Sequence, residues 1–327
     1  MSERLRLTRP WPEDAARITA AMTDWNTARW LTAVPWPYSE ADARDFIAAA
    51  PLDDYAVRQD DVLVAMVRAG STFGLWIAPE CQGRGLGRRV GILALSRFFL
   101  EGAPQIGTHV LEGNTRSARL LDWLGFEPVG QERLYSSPLR REVSATALRL
   151  TRARFEALHP FVLRTARLRI GPIARDDLPA LHRIATRPEV ARMMLRFRSD
   201  MALAELAQLV DESALWPPLR LAVRHEGRLI GAIGLSDGRP PRLHYFLDPD
   251  MAGQGLGQEM VAAVFDEIVA RFGLPEVLAD VFLDNQASRR ILKNLGFRRI
   301  EDVELKAEGR DAPADAALYR WRPGLLG

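Results

Sequence analysis

Two sequence blocks occur twice in this chain, in the same order, and they limit the folds open to it. The first block is a glycine-rich segment at 81–87, which recurs at 251–257. The second block runs from Asn114 to a Gly-Phe pair, and it recurs from Asn285 with the same Asn-to-Gly separation (125 − 114 = 296 − 285 = 11). Two blocks that recur together indicate a duplicated domain, because a repeat of about 165 residues is far longer than the repeats of solenoids.

Each glycine segment lies between an apolar run and an amphipathic run. The apolar runs are Phe73–Pro79 and Leu243–Pro249, and the amphipathic runs are Arg88–Leu100 and Gln258–Phe272. This order predicts a strand, a glycine loop and a helix. Glycine lets the backbone turn sharply, and the first amides of a helix lack internal partners at the positive end of its dipole. The loop therefore predicts an anion site, most often for a phosphate.

Two common nucleotide-binding loops do not match these segments. The dinucleotide fingerprint G-x-G-x-x-G needs glycine where this chain has Arg88 and Gln258, and the P-loop needs a Gly-Lys-Ser/Thr sequence that neither segment contains. The phosphate group must then belong to another kind of ligand.

Taken together, the loop and the Asn-x-x-Ser to Gly-Phe block resemble the GNAT superfamily of acyl-CoA N-acyltransferases, once in each half. The segment 82–87 matches the family's Q/R-x-x-G-x-G/A pyrophosphate loop, and the second block resembles the subgroup that acetylates the N-termini of ribosomal proteins. Two features depart from the pattern. Ala252 stands where the second loop should have Gln or Arg, and Leu121 and Leu292 stand where many members have a catalytic tyrosine.

The resemblance implies that acetyl-CoA is the cofactor and that loop amides hold its pyrophosphate, while an asparagine in each half touches the pantetheine arm or orders the gap beside it. The implied cofactor-binding residues are Gln82, Gly83, Arg84, Gly85, Leu86, Gly87, Asn114, Gly253, Gln254, Gly255, Leu256, Gly257 and Asn285. In the family, the backbone of the loop-bearing strand faces the thioester. This implication places Trp76, Ile77, Phe246 and Leu247 beside the reacting carbon.

Ser117 and Ser288 are the candidate catalytic hydroxyls, because they resemble the family's hydroxyl near the cofactor sulfur and could protonate the departing thiolate. The alternative is that each serine only hydrogen-bonds the first turn of its helix. His244, on the predicted loop-bearing strand, is the candidate base, since an amine must be neutral to attack. Other candidates for the base are left open: His109, Asp280, Glu304 and water.

The segments that lie over the acceptor pocket in the family differ between the halves. The first half has the aromatic stretch 30–38, and the second half has the methionine-containing stretch 190–197. We therefore expect the halves not to share a substrate. Packing between short helices is an equally weighted alternative for Trp30, Trp36, Met193 and Met194.

Composition and charge exclude several other classes of protein. The 327 residues are 47% hydrophobic and 26% charged, as in ordinary globular proteins, and the net charge of +2 does not imply a general nucleic-acid surface. One cysteine, Cys81, cannot form an internal disulfide and offers no metal cluster. The sequence shows neither a signal peptide nor a run of about 18 apolar residues, so a cytoplasmic protein without a membrane segment is expected.

The predicted fold class is α+β, with two tandem domains that each contain a mixed, mostly antiparallel sheet with helices on both faces. The domains are expected at 1–158 and 159–327, with the boundary near His159-Pro160. Alternating residues predict an opening strand in each copy, at Arg4–Leu7 and at Arg167–Ile170.

The predicted function is transfer of an acetyl group from acetyl-CoA to a primary amine, on a protein N-terminus or on a small molecule. The alternative is that one half is a non-catalytic, CoA-binding or structural module. Ala252 points to the second half as inactive, whereas Asp60-Asp61, which interrupts the alternation of a hairpin, points to the first. The second half is the more regular catalytic unit, and both halves are expected to bind CoA. The chain is expected as a monomer that forms a pseudo-dimer, or as a homodimer.

Overall fold

The structure is a computed structural model that describes residues 5–210 and 215–323. The chain divides into two compact units, Met1–His159 together with Ala270–Gly273, and Pro160–Val269 together with Leu274–Gly327. Within the described ranges no helix combines the length and the apolar character needed to cross a bilayer.

The first unit contains the strands β4 and β5, which flank the site described below. In chain order the elements of this unit are β1 (Leu5–Thr8), α1 (Ala15–Thr23), α2 (Trp25–Ala28), α3 (Glu40–Ala49), β2 (Asp54–Gln59), β3 (Val62–Ala69), β4 (Phe73–Ile77), α4 (Leu86–Leu100), β5 (Gln105–Leu111), α5 (Thr115–Leu124), β6 (Glu127–Ser136), β7 (Arg141–Thr151) and α6 (Arg152–Leu158). The strands form one antiparallel sheet in the order β1-β2-β3-β4 and a second in the order β5-β7-β6.

The β2–β3 hairpin turns at Asp60-Asp61. Both residues have positive φ angles, 49° and 65°, and the flanking residues Gln59 and Val62 are paired. This is the geometry of a two-residue hairpin turn, which requires positive φ at both positions. The pair that interrupts the sequence pattern is thus the turn itself and not a defect of the first half. Glu226-Gly227, with φ angles of 51° and 81°, makes the equivalent turn in the second unit.

Helices cover both faces of the first sheet. Ala56, Met66 and Trp76 lie side by side on β2, β3 and β4 and pack against α1 and α3. Because side chains alternate along a strand, the residues between them face the opposite side, where α4 packs on β3 and β4.

The two sheets of the first unit part between β4 and β5. The strands are neighbours, and the Thr108 hydroxyl of β5 donates a hydrogen bond to the Phe73 carbonyl at the start of β4 (2.6 Å). No backbone ladder joins them over the described residues, so the far end of β4 has an unpaired edge. Such an edge leaves backbone groups available to a ligand.

The second unit repeats this plan after a short additional strand. Its elements are β8 (Leu163–Arg164), β9 (Leu168–Pro172), α7 (Leu178–Ala185), α8 (Pro188–Ala191), α9 (Leu203–Val210), β10 (Leu219–His225), β11 (Arg228–Leu235), β12 (Leu243–Leu247), α10 (Leu256–Phe272), β13 (Val277–Phe282), α11 (Gln286–Asn294), β14 (Arg298–Leu305) and β15 (Ala314–Trp321). The sheets have the orders β12-β11-β10-β9-β8 and β13-β15-β14. One parallel bridge, Arg242 to Leu278, connects β12 and β13 before they part.

The predicted fold class is therefore confirmed in both halves. The second unit has a row of side chains that corresponds to Ala56, Met66 and Trp76 of the first. This row consists of Ala222, Ala232 and Phe246, and it packs under α7, α8 and α9. The second predicted opening strand begins one residue later than expected, at Leu168, and the first is present from Leu5, while Arg4 lies outside the described ranges.

Candidate active site

Both glycine loops have the same backbone geometry. Gly83 and Gly85 have φ angles of 76° and 78°, and Gly253 and Gly255 have φ angles of 78° and 74°. Glycine adopts this left-handed region at no steric cost, whereas other residues are strained there. In the first loop a Cβ atom at Gly83 or Gly85 would meet nothing within 4 Å, so the surface of this loop is open.

The amides of the first loop are available for an anion. Gly85 is the N-cap of α4 and no side chain caps this helix. The backbone N–H groups of Gly83, Arg84 and Gly85 have no backbone acceptor within the described chain, whereas the Gln82 N–H already donates to the Pro79 carbonyl (3.3 Å). Of the loop residues predicted to bind a pyrophosphate, Gln82 thus has its backbone N–H occupied, whereas Gly83, Arg84 and Gly85 have theirs available.

Gln82 itself links two elements. Its Nε2 donates to the Ile77 carbonyl at the end of β4 (3.0 Å), and its Oε1 accepts a hydrogen bond from Arg116 of α5. The side chain thus fixes the end of the strand where the ladder to β5 is missing. Ala252, in the matching position of the second loop, has no side chain that could make these bonds.

A cavity of about 1450 Å³ lies in the first unit. Its walls are the glycine loop, residues of β4 and β5, the first turn of α5, and the segment from α1 to α3. Trp76 and Ile77 of β4 line it, as the resemblance implies, and so do Asn114 and Ser117. The volume exceeds the roughly 300–1,000 Å³ of common ligand pockets, which leaves room for a cofactor together with an acceptor.

The two asparagines of the second block are helix caps. Asn114 Oδ1 accepts from the Ser117 N–H (3.2 Å) at the start of α5, and Asn285 Oδ1 accepts from the Ser288 N–H (3.1 Å) at the start of α11. The cap is made by the asparagine side chain and the serine backbone. The Ser117 hydroxyl makes no hydrogen bond within the described residues and lines the cavity, so it is free to meet a ligand.

Ser288 has a different neighbour. Burial raises the pKa of Tyr245 on β12 to about 12, and the Ser288 hydroxyl beside it offsets part of this rise. The residue that matches Tyr245 in the first unit is Leu75. The two serines share a helix position but not an environment.

His244 lies in a site that disfavours a positive charge. Burial, followed by the charge of Arg220, lowers the pKa of His244 to about 3, and its Nε2 has no hydrogen-bond partner. The ring packs over Gly234, where a Cβ atom would lie 2.4 Å from Nε2. A group with this pKa is a poor proton acceptor at neutral pH. The geometry therefore argues against His244 as the base.

The other side chains predicted as possible bases differ from His244 in their contacts and exposure. His109 Nε2 lies 3.0 Å from Glu132 Oε2, and its side chain is 35% exposed and lines the cavity. Asp280 is paired with Arg242 (2.7 Å), and Glu304 is exposed on β14. His109 is thus the candidate that the structure brings to the cavity.

The loop of the second unit carries an internal ion pair. Arg167 donates to the Gln254 carbonyl (2.8 Å) and to Glu259 (2.7 Å), which lies in the first turn of α10. Burial raises the pKa of Glu259, but hydrogen bonds from Thr165 and Arg167 outweigh this effect, so the pKa lies below its usual value. Glu259 is a carboxylate at neutral pH, at the helix end where the first unit has Arg89.

The stretch 190–197 packs against the sheet of the second unit. Phe197 is 8% exposed and packs edge-on against Phe246 of β12, with ring centroids 5.3 Å apart. Asp284 binds both Arg192 (2.8 Å) and Arg310 (2.9 Å), which ties this stretch to the β14–β15 turn. Met193 and Met194 pack against buried clusters, as the packing alternative proposed.

The matching stretch of the first unit borders the cavity instead. Trp30 lies against Gly113, where a Cβ atom would be 3.6 Å from the indole ring, and Trp36 packs on Trp25 with ring centroids 4.9 Å apart. Burial, together with the charge of Asp42, raises the pKa of Tyr38 to about 12, so it is a neutral phenol in the cavity wall.

Sequence reasoning missed two charged residues of this wall, Asp24 and Arg29, which flank α2. Nothing in the spacing of a short polar helix marks its charges as cavity residues. Their placement depends on the fold of the α1–α3 segment over β4.

Comparison with known proteins gives a consistent result for both halves. A family model described as acetyltransferase (GNAT) domain matches residues 4–127 and 167–298. Two curated relatives come from Bacillus subtilis (strain 168). The uncharacterized N-acetyltransferase YoaA is 26% identical over 167 residues, which cover 48% of this chain and 94% of YoaA. The SPbeta prophage-derived uncharacterized N-acetyltransferase YokL is 28% identical over 170 residues, which cover 48% of this chain and 95% of YokL.

Solved structures also align with about half of the chain. Mycobacterium smegmatis RimJ in complex with CoA-disulfide is 18% identical, with a TM-score of 0.43, over 49% of this chain and 83% of that chain. A GNAT-family acetyltransferase from Bacillus anthracis is 17% identical, with a TM-score of 0.44, over 50% of this chain and 98% of that chain.

Proposed function

The chain belongs to the GNAT acetyltransferase family in both of its halves, and we propose that it transfers an acetyl group from acetyl-CoA to the primary amine of an acceptor, by direct attack in a ternary complex. We further propose that the first unit binds acetyl-CoA and carries out the reaction, and that the second unit is a non-catalytic module.

The observation that carries the assignment to the first unit is its arginine-rich glycine loop, which lines a large cavity. The loop amides from Gly83 to Gly85 lack acceptors, and side-chain space beside them is open. The segment 82–89 contains three arginines and no acidic residue, which suits a pyrophosphate. These features fit the phosphates of CoA.

The remaining roles in the first unit follow from the walls of the cavity. The gap between β4 and β5 receives the pantetheine arm, and Asn114 lies at one end of this gap. The thioester supplies the acetyl group, beside the backbone of Trp76 and Ile77. The Ser117 hydroxyl donates a proton to the departing sulfur, directly or through a water molecule, and His109 accepts the proton that the amine must lose.

The two loops differ in charge and not in their backbone, because the N–H groups of Gly253, Gln254 and Gly255 also have no backbone acceptor among the described residues. In the second unit, segment 252–259 contains one glutamate and no basic residue, and Glu259 lies in the first turn of α10. Arg167, the cation beside this loop, is bound to Glu259 and to the Gln254 carbonyl. Repulsion between Glu259 and a pyrophosphate disfavours CoA here, so we narrow the expectation of two CoA sites to one.

Calorimetric titration with acetyl-CoA tests this proposal on the full chain and on two matched variants. Gly85→Glu and Gly255→Glu place the same charge at loop positions with nearly the same φ angle, so their backbone strain is comparable. We expect one site per chain, lost in Gly85→Glu and kept in Gly255→Glu.

Other results would contradict parts of the proposal. Two sites, each lost with its own variant, would refute the assignment of the second unit as non-binding. A single site lost in Gly255→Glu would move the active site to the second unit. Absence of binding by the unmodified protein would refute the acetyltransferase proposal itself. The cytoplasmic location and the oligomeric state stay predictions from the sequence.

A further inference from the structure

Arg29 is a cavity arginine without a counter-ion. It lines the cavity of the first unit, and its Nε is buried without a hydrogen-bond partner. No carboxylate of the described residues lies within salt-bridge distance of it. Its guanidinium carbon lies 4.4 Å from the centroid of the Trp30 ring, a contact that orients the group but does not neutralise it.

Two other arginines of the cavity, Arg68 and Arg116, are already bound, and a third, Arg88 of α4, lies over the Trp123 ring. Arg68 forms two hydrogen bonds of 2.6 Å to the buried carboxylate of Asp54, and Arg116 binds Gln82. A partly buried guanidinium without an anion is costly, because its donors have lost water and gained nothing. Arg29 is therefore the cavity cation that a ligand carboxylate would satisfy with two parallel hydrogen bonds.

Asp24 supplies a negative charge near Arg29, since the two residues flank α2 at its N-terminal and C-terminal ends. Its Oδ1 accepts from the Asn26 N–H (3.2 Å) and its Oδ2 accepts from the Thr27 hydroxyl (3.0 Å), both neutral donors. No cationic side chain in the described part of the chain lies within salt-bridge distance of Asp24. The cavity thus presents an unpaired carboxylate and an unpaired guanidinium that do not pair with each other.

Apolar side chains lie in the same wall. Leu31, Val34, Tyr38, Phe46 and Trp76 line the same region of the cavity. A ligand that fits has an apolar body and two small opposite charges. This combination disfavours a phosphorylated amine, because the single positive charge of Arg29 would not balance a phosphate dianion.

We infer that the acceptor is an apolar amino acid with a free carboxylate, bound through its carboxylate to Arg29 and through its ammonium group near Asp24. The inference rests on the proposed function and names the substrate class of the same site. A protein N-terminus differs at the decisive place, since its first residue has a neutral amide where the amino acid has a carboxylate, and an amide leaves Arg29 without an anion.

Acetyl transfer to paired acceptors tests the inference. The acceptors are leucine, methionine, phenylalanine and tryptophan, each compared with its own carboxamide, and CoA release is measured with acetyl-CoA as donor. For the unmodified protein we expect kcat/KM for the acid to exceed that for the amide by about ten-fold or more, as the loss of one charged hydrogen bond requires. Arg29→Gln should lower kcat/KM for the acid by a similar factor and leave that for the amide unchanged.

Three further variants separate the roles. Arg29→Lys keeps the charge without the planar fork and should restore part of the preference for the acid. Asp24→Asn keeps an oxygen that can cap α2 but removes the charge, so it should raise KM for acid and amide alike. Arg44→Gln is the control for loss of a positive charge, because Arg44 lies on α3 in an exposed pair with Glu40 and should change neither acceptor.

The opposite results are equally definite. Equal kcat/KM for acid and amide, or an equal loss for both in Arg29→Gln, would overturn the inference. A loss of acetyl-CoA affinity in Arg29→Gln would also overturn it, because Arg29 would then bind the cofactor. A preference for peptides with a free N-terminus over all amino acids would overturn it in favour of protein acetylation. Each of these results leaves the proposed function intact, whereas failure to bind acetyl-CoA refutes that function first.

Discussion

Two serines that occupy the same helix position face different surroundings, and this difference decides what each can do. The Ser117 hydroxyl lines the cavity and makes no hydrogen bond among the described residues, while Ser288 lies beside the buried hydroxyl of Tyr245. A proton donor must reach the departing sulfur, so only a hydroxyl on the cavity can serve.

Substitution of each serine by alanine tests this difference. We expect Ser117→Ala to lower kcat by about ten-fold or more with little change in acetyl-CoA affinity, because the proton donor is lost and the Asn114 cap is kept. Ser288→Ala is the matched control and should leave kcat unchanged. Full activity of Ser117→Ala would remove this serine from the mechanism.

The buried histidine of β12 gives the free energy of unfolding a pH dependence. The pKa of His244 falls from 6.5 to about 3 on folding, so below pH 6.5 the unfolded chain binds a proton that the folded chain does not. Stability from this residue is therefore complete above about pH 6.5 and is lost as the pH falls toward 3. Between pH 7 and pH 5 the loss should be about 2 kcal/mol.

Urea unfolding at pH 7 and pH 5 measures this loss, with His244→Leu as the comparison. Leucine has no titrating group and removes the unsatisfied Nε2, so the variant should lose less stability than the unmodified protein over the same interval. An identical pH dependence in both proteins would show that His244 accepts a proton in the folded state.

At the scale of elements, two glycines bring α4 against α5. A Cβ atom at Gly87 would lie 3.0 Å from the side chain of Leu120, and one at Gly91 would lie 2.8 Å from both methyl carbons of Leu124. The close approach places the first turn of α5, which carries Ser117, beside the loop at the start of α4. The position of Ser117 relative to the glycine loop therefore depends on the contact between α4 and α5.

Gly91→Leu should separate these helices. We expect it to lower the free energy of unfolding by about 1–3 kcal/mol, as overpacking does, and to weaken acetyl-CoA binding. Gly91→Ala should be far milder, because the end of the Leu124 side chain can move and alanine favours the helix by up to about 1 kcal/mol. Gly130→Leu is the control, since a Cβ atom at Gly130 meets nothing within 4 Å. Thermal unfolding and titration with acetyl-CoA measure both effects.

At the scale of the whole molecule, a single cofactor site should stabilise one unit of the chain. At 100 times the dissociation constant, a ligand that binds only the folded state stabilises it by about 2.7 kcal/mol. Hydrogen exchange with and without acetyl-CoA should therefore show slower exchange in 74–87 and 109–117. The matching segments 244–257 and 280–288 should not change, and equal protection of both sets would contradict a non-binding second unit.

Much of the fold followed from the sequence because it depends on local patterns. The strand, glycine loop and helix lie where the apolar runs and glycines placed them, and Asn114 and Asn285 cap their helices as predicted. The interruption at Asp60-Asp61 misled the sequence reading, since a turn of two aspartates lacks the glycine that usually marks a two-residue hairpin.

The site was only partly predictable, because its differences arise from contacts distant in sequence. Arg167 and Glu259 are 92 residues apart, and Arg192 reaches Asp284 across 92 residues as well. No spacing within either loop indicates that an ion pair lies beside the second one. The preference for the second half as the catalytic unit came from regularity of sequence, which says nothing about charge at a folded helix end.

The sequence by itself determined that this chain contains two copies of one domain, because motif spacing and hydrophobic period are properties of the chain, and the resemblance of its motifs indicated an acetyltransferase. The tertiary structure decided which loop has an ion pair beside it, and it placed a free serine hydroxyl and unpaired charges in the cavity of the first copy. Burial, ion pairing and access to a cavity exist only once distant segments are folded together, and these quantities determine which of two similar motifs can bind and react.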